Sequence, residues 1–258
     1  MKKWLLILFA LILAVVCLAG CSKNESSPQT DQKAETGSGK ESKDTQAAGT
    51  VVKGGKIAFG HYDQFNDTEE GPEPIEWIVL DVQGNKALLL SRYGLAVKPY
   101  NTEKTDITWE NCSLRTWLNN EFLQAAFSEA EQSSILLTDV DNSAAQQRSE
   151  SSTSGGNNTQ DRIFLLSYHE AFDLYFTNDD SRKCAPTDYA YADNAWTDGS
   201  VYDEDDRTVG RWWLRSPGEQ QNQAVMITAY GRYGLYSVNN EENLVRPAVW
   251  VNLESGIF

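Results

Sequence analysis

Histidine is scarce in this sequence, basic charge is low, and no familiar catalytic motif occurs. Two histidines, His61 and His169, exclude any site that needs three. No Gly-x-Ser-x-Gly pattern is present, so nothing signals a nucleophile-elbow hydrolase. Lys and Arg number 22 against 37 Asp and Glu, a formal charge of −15. Phosphate repels such a surface, which argues against a nucleic-acid partner. Residues 22–50 contain no Ile, Leu, Val, Met, Phe, Tyr, Trp or Cys. That stretch has nothing to bury and is expected to stay disordered.

The apolar residues lie elsewhere. Lys2 and Lys3 precede an unbroken apolar run from Trp4 to Ala19. Such a run spans about 24 Å as a helix, short of a bilayer core of about 30 Å. It suits the apolar region of a signal peptide. Leu18-Ala19-Gly20-Cys21 follows and resembles the bacterial lipobox, in which the cysteine takes the lipid. The alternative is an ordinary secretory signal with an incidental cysteine. The organisation expected is a lipoprotein signal peptide at 1–20, then lipidated Cys21 and a polar tether to residue 50. An extracellular domain follows at 51–258. The location implied is the outer face of the cell membrane, with the membrane itself a partner through the lipid.

Residues 51–258 hold seven of the eight Trp and all 11 Tyr, ample for one core. Residues 55–62 read as a first strand. Residues 75–82 and 86–91 read as a hairpin turned by Gln83-Gly84-Asn85. Leu114, Trp117, Leu118, Phe122 and Leu123 form a helical stripe over about 112–126. Ser128-Glu129-Ala130-Glu131 is a capping box opening a helix through Ile135 and Leu136. Residues 141–161 read as a polar loop, and 162–166 as a strand. Ser167 to Glu170 is a second capping box, opening a helix to about Phe176. Residues 178–210 read as irregular and acidic, with a helical turn near Asp188–Ala192. Strands follow at 211–215, 223–229, 233–238 and 245–251. Strands, helices, loop, then strands predict an α+β fold with antiparallel sheets, two to three helices and long irregular loops.

Five ordered segments carry a family resemblance. They are residues 75–81 (IEWIVLD), 109–123 (WENCSLRTWLNNEFL), 182–187 (RKCAPT), 212–218 (WWLRSPG) and 245–250 (VRPAVW). Together they resemble the bacterial family called domain of unknown function 6273. More distantly, the C-terminal pattern is similar to C-type-lectin-like folds, which include formylglycine-generating enzymes. That resemblance implies a single domain with its terminal strands together and a ligand site on residues 178–222. The cysteine pair that formylglycine-generating chemistry needs near the last strands is missing here, since nothing follows Cys184.

Several groups of side chains could carry chemistry. An exported compartment permits a Cys112–Cys184 disulfide; two free thiols are the other reading. The acidic stretch offers Asp198, Asp203 and Asp205 as weak ligands for Ca²⁺, against a plainly solvated loop. Tyr189, Tyr191, Trp196 and Tyr202 are interleaved with those acids, as in a binding loop, or they pin the loop to the domain. Arg215 and Tyr233 complete the candidate ligand-binding set. Arg215 and Arg246 also read as structural clamps, because a buried guanidinium needs acceptors. Trp77, Trp117, Trp213 and Trp250 are expected in the core.

The function expected is a non-enzymatic surface module for a glycan or protein ligand. Teichoic acid is disfavoured by like charge. An extracellular hydrolase with paired carboxylates and an envelope assembly component are the alternatives.

Overall fold

The computed structural model describes residues 51–66 and 71–258. The expected signal peptide, Cys21 and the polar tether to residue 50 lie outside the described residues. Among the described residues no helix is long and apolar enough to cross a membrane.

The chain opens with β1 (Lys56–Tyr62), β2 (Glu73–Gln83) and β3 (Lys86–Ser91). Gly84 turns the β2–β3 hairpin at φ 61°, a conformation glycine adopts without a Cβ penalty. The short β4 (Ala96–Val97) follows.

One helical column covers 113–126. It begins as α1 (Ser113–Trp117), widens into a π-turn at Leu118–Phe122 and ends as α2 (Leu123–Ala126). The side-chain amides of Asn119 and Asn120 bond the carbonyls of Arg115 and Thr116 four residues back. They add side-chain donors at the widened turn, where Arg115 O also accepts from Leu118 N. Helix α3 (Glu129–Ser134) carries the Ser128/Glu131 capping box and stops at Ser134. It ends before Leu136 because Ile135 bridges to Val251 in the sheet.

The polar loop is more ordered than its composition suggests. Its ends pair as β5 (Thr138–Val140) and β6 (Thr159–Asp161). Strand β7 is only Ile163–Phe164. The second capping box forms, with Ser167 Oγ accepting from Glu170 N at 3.0 Å. The turn it opens at Glu170–Leu174 is of π type. Residues 178–210 are likewise built: α4 (Asp179–Arg182), α5 (Asp188–Ala192) and a hairpin of β8 (Thr197–Tyr202) and β9 (Thr208–Gly210). The last strands are β10 (Trp212–Pro217), β11 (Gln223–Ile227), β12 (Tyr233–Ser237), β13 (Leu244–Val245) and β14 (Ala248–Asn252).

Two five-stranded sheets result. The first runs β1-β2-β3-β14-β7, antiparallel throughout. The second runs β12-β11-β10-β13-β4, with a parallel step only between β10 and β13. The fold is therefore mixed α+β, mostly antiparallel, with few and short helices.

The chain crosses between the sheets twice at one place. It leaves the first sheet after β3 and enters the second at β4. It returns at Arg246-Pro247, between β13 and β14. Pro247 has no N–H for a ladder, so the single apolar run 245–251 is split. The two crossings lie side by side, because β3 pairs with β14 and β4 with β13.

The core packs Trp77, Trp109, Trp212 and Trp213 completely out of solvent. Trp117 and Trp250 are only half-buried, under the ammonium groups of Lys98 and Lys86. Trp250 stands between two buried valines on β14, so strand alternation turns it outward.

Candidate functional site

At the crossings β3 ends, and the carbonyls of Ser91 and Arg92 run out of ladder partners. Arg246 supplies donors: Nε bonds Ser91 O at 2.9 Å and Nη2 bonds Arg92 O at 3.3 Å. Its guanidinium lies 5.0 Å from the Trp212 ring centre and 5.7 Å from that of Phe176. Arg246 is 2% exposed and has no carboxylate partner among the described residues. Nη1 has no acceptor among the described residues. Burial pulls its pKa down, and the one group that opposes this is the Cys184 thiol.

A cavity of about 750 Å³ opens beside it. One wall is β2 at residues 78–80, with Lys53 and Gly54. Arg92 and Tyr93 line it from the crossing, Tyr175 and Phe176 from just beyond the π-turn at Glu170–Leu174. Asn178, Asp180, Ser181, residues 183–185 and the tip of the β8–β9 hairpin complete the lining. That tip is fastened down. Asp205 Oδ2 accepts from Arg92 Nη2 at 2.5 Å and from the Tyr93 hydroxyl at 3.0 Å. Arg92 also pairs with Glu76. Burial works against the Arg92 charge, but the Glu76 hydrogen bond and nearby Tyr93, Glu76 and Asp205 outweigh it and raise its pKa. Burial, with the Asp205 hydrogen bond, pushes Tyr93 up to about 12.

The candidate binding residues do not share one surface. Tyr202 lines the cavity, and its hydroxyl bonds Gly199 O. Tyr189 packs edge-on against Tyr62 on β1. Tyr191 points to solvent, 60% exposed. Trp196 carries the Arg211 guanidinium on its face, 4.2 Å away. Tyr233 packs edge-on against Tyr168 and Phe172 and is covered by Arg148. Arg215 corrects the expectation of a ligand contact. It is 3% exposed, and its acceptors are Glu170, Leu165 O, Asp141 O and Asn142. It is the clamp that its aromatic strand implies.

The proposed calcium ligands are engaged separately. Asp198 accepts from Ser200 and from the Tyr230 hydroxyl. Asp203 Oδ1 takes the amides of Asp205 and Arg207, each at 2.9 Å. Asp205 holds Arg92. Among the described residues no group of three or more His, Cys, Asp or Glu side chains could hold a metal ion.

Of the two readings for Cys112 and Cys184, the structure has the unbridged one: both thiols are free and buried. Cys112 caps α1, its Sγ accepting from Arg115 N at 3.4 Å. Cys184 belongs to the cavity wall beside Arg92 and Arg246. The two neighbourhoods have no residue in common. The histidines form no catalytic set. His169 pairs with exposed Asp173 at 2.8 Å, and His61 stands exposed on β1.

Arg92, Tyr93, Tyr175 and Phe176 belong to no motif that marks them as functional in the sequence. Pro247, interrupting the last apolar run, is the one local signal for the crossing.

Fold and site together define the class: an α+β domain of two antiparallel-rich sheets, with a polar and aromatic cavity where the chain passes between them. The family follows from comparison. The chain belongs to the family described as domain of unknown function (DUF6273), whose model matches residues 84–253. Most of the cavity, including Arg92, Tyr175, Cys184, Asp205 and Arg246, falls inside that segment. No curated protein and no solved structure matches the chain.

Proposed function

We propose that this is a lipid-anchored protein of the bacterial cell surface whose domain binds a ligand outside the cell without transforming it. The observation that carries the reading is the cavity at the sheet crossing. It gathers four aromatic rings, from Tyr93, Tyr175, Phe176 and Tyr202, around a buried guanidinium with a free donor. Such rings beside fixed polar and charged groups are what a ligand pocket needs for contact area and orientation. Its carboxylates are occupied with cations or backbone amides. Asp180 holds Lys183 at 2.7 Å, Glu204 holds Lys56 at 3.2 Å, Asp205 holds Arg92, and Asp203 caps its own turn. This disfavours a hydrolase, which needs one carboxyl free to give a proton and another free to attack.

The anchor rests on the sequence: a short apolar run, Leu18-Ala19-Gly20-Cys21 and a polar tether. A C-type-lectin-like ancestry is part of the same reading. Its support is the return of the last strand, β14, to pair beside the β2–β3 hairpin.

Two experiments test this. Cys21→Ala should move the protein from the membrane fraction to the soluble one; retention in the membrane removes the lipid anchor. The full chain, in a polyoxyethylene detergent, should select members of a glycan and peptide array. The Tyr93→Ala/Tyr175→Ala variant should lose that selection. A flat array, or a variant that binds as well, removes the cavity as the site.

A further inference from the structure

A sheet edge carries unpaired backbone groups that a further strand can take up, and folded proteins blunt such edges. The two five-stranded sheets have four edge strands, β1, β7, β12 and β4. Three are blunted. β4 and β7 are two residues long and buried. The Asn119 side chain also bonds both backbone groups of Ile163 on β7. β1 carries an exposed lysine, Lys56, and its register breaks between Ala58 and His61. Gly60, at φ 69° within that break, gives its N–H to Glu131.

The fourth edge, β12, has none of these devices. Its five residues, Tyr-Gly-Leu-Tyr-Ser, include no charge and no proline, and none is buried. Its pairing with β11 is regular throughout. That ladder fixes which groups face out. Val238 N bonds Asn222 O at one end of it, and Thr228 N bonds Arg232 O at the other. Hydrogen-bonded pairs alternate in an antiparallel ladder, so Gly234 and Tyr236 bond to β11. Tyr233, Leu235 and Ser237 turn their N–H and C=O groups away from it. Of those six groups only Ser237 O has a partner among the described residues, Asn240 N at 3.0 Å.

The strand is complementary to itself. Two copies related by a twofold axis at Leu235 would pair antiparallel. Leu235 then exchanges two hydrogen bonds with Leu235 of the second copy, and Tyr233 lies opposite Ser237. Gly234 falls opposite Tyr236 of the second copy, where its missing side chain leaves room for the ring. The flanking charges agree with this pairing. Exposed Arg232 precedes the strand and exposed Glu241 follows it, so antiparallel copies bring opposite charges to each end. The formal charge of −15 opposes association. The strand itself is uncharged, and physiological salt screens exposed charges more than about 8 Å apart.

We propose that β12 is a dimerisation edge, at which two copies of this chain join their second sheets into one. A contact of five residues on each side is smaller than that of a permanent dimer, so the association is reversible. No residue of β12 lines the cavity at the crossing, so this edge stands or falls apart from the ligand site.

The full chain, in a density-matched polyoxyethylene detergent at physiological salt, is followed by sedimentation equilibrium over a rising concentration series. The expected result is a mass that climbs from one chain toward two. Leu235→Pro removes an outward N–H and leaves the β11 ladder whole, so it should weaken self-association by about tenfold or more. A mass that stays at one chain overturns the proposal. So does Leu235→Pro dimerising as well as the wild type. Disulfide trapping reads the register separately and stands even if Leu235→Pro fails to fold. Its background is Cys17→Ala/Cys21→Ala, with Cys112 and Cys184 buried. Directly paired strand residues are close enough for a disulfide. Leu235→Cys should therefore form a dimer on mild oxidation. Tyr233→Cys should cross-link to Ser237→Cys in a mixture but not to itself. Gly199→Cys, where an added Cβ meets nothing within 4 Å, gives the rate of random encounter. Leu235→Cys cross-linking no faster than Gly199→Cys overturns the proposal, as does Tyr233→Cys cross-linking to itself as fast as to Ser237→Cys.

Discussion

Arg215 grips Glu170 with both terminal nitrogens, Nη1 to Oε2 at 2.5 Å and Nη2 to Oε1 at 3.1 Å. The pair ties β10 to the second capping box, since Glu170 Oε2 also accepts from Ser167 N at 2.7 Å. Removing one partner of a buried pair strands the other charge. Arg215→Met is therefore expected to cost about 3–5 kcal/mol. The double variant with Glu170→Met should be closer to wild type than Arg215→Met alone. Urea unfolding of all three proteins checks this. A single-variant loss no larger than about 1 kcal/mol, the range of exposed pairs, would show that the pair does not behave as buried.

Gly231 sits at φ 71° in the β11–β12 turn, with α4 pressed against it. An added Cβ would lie 1.8 Å from the Asp179 carbonyl oxygen. The Gly231 carbonyl also accepts from Arg182 Nε at 2.7 Å. Gly231→Ala must strain the turn and push α4 away, at an expected cost above about 3 kcal/mol. Gly84 is the control. Its φ is also positive, at 61°, but a Cβ there meets nothing within 4 Å. Gly84→Ala should cost only the left-handed backbone penalty of roughly 1–2 kcal/mol. Equal midpoints in thermal unfolding would refute the close approach of α4.

Alkaline pH should expose the two thiols. Burial pushes Cys112 up to about 12 from 9.0, and it raises Cys184 as well. A folded-state pKa above the unfolded one favours folding fully below the unfolded value. That contribution falls as pH rises through it. Stability should begin to fall near pH 9 and go on falling toward pH 12. Tyr62 and Tyr175, both raised to about 12 from 10.0 by burial first, join only above pH 10. In a Cys112→Ser/Cys184→Ala variant the fall should start near pH 10 instead of pH 9. Identical pH profiles of the unfolding midpoint would assign the loss elsewhere.

Local rules account for much of the fold. The Gly84 hairpin, the Ser128/Glu131 box, the helical turn at Asp188–Ala192 and the strand run from β10 to β12 all follow from spacing over a few residues. What escaped was decided by distant partners. The run 245–251 reads as one strand, and only the pairing of β13 with β4 and of β14 with β3 shows that it serves two sheets. The segment 178–210 reads as irregular because the β8–β9 hairpin is polar; contacts with Arg92 and Tyr93, over 100 residues away, hold its tip. The site was less legible for the same reason. Aromatic composition marked Tyr189, Tyr191, Trp196 and Tyr202, but only Tyr202 reaches the cavity. Arg215 and Arg246 look alike in sequence. They differ because Glu170 lies opposite one and no carboxylate lies opposite the other.

The tip of the β8–β9 hairpin is the part of the cavity most open to adjustment. Its fastening to the body includes Arg92 to Asp205 and to Glu204, Tyr93 to Asp205, Arg207 to Pro186 O and Asp188, and the exposed Lys56–Glu204 pair. The exposed pair is screened by salt and contributes little. Asp205 makes the shortest charged contact among them, to Arg92 at 2.5 Å. Asp205→Asn keeps an acceptor for the Tyr93 hydroxyl but removes the charge that Arg92 grips. Global stability should change by no more than about 1 kcal/mol, because Arg92 retains Glu76. Amide hydrogen exchange should rise selectively at residues 203–207, since local opening no longer breaks a charged contact. Raising salt should speed exchange there far more in the wild type than in the variant. Unchanged exchange at 203–207 would mean that the Asp203 turn and the Arg207 contacts to Pro186 and Asp188 hold the tip without Asp205. A general rise across β8 and β9 would mean that Asp205 stabilises the whole hairpin and not its tip alone.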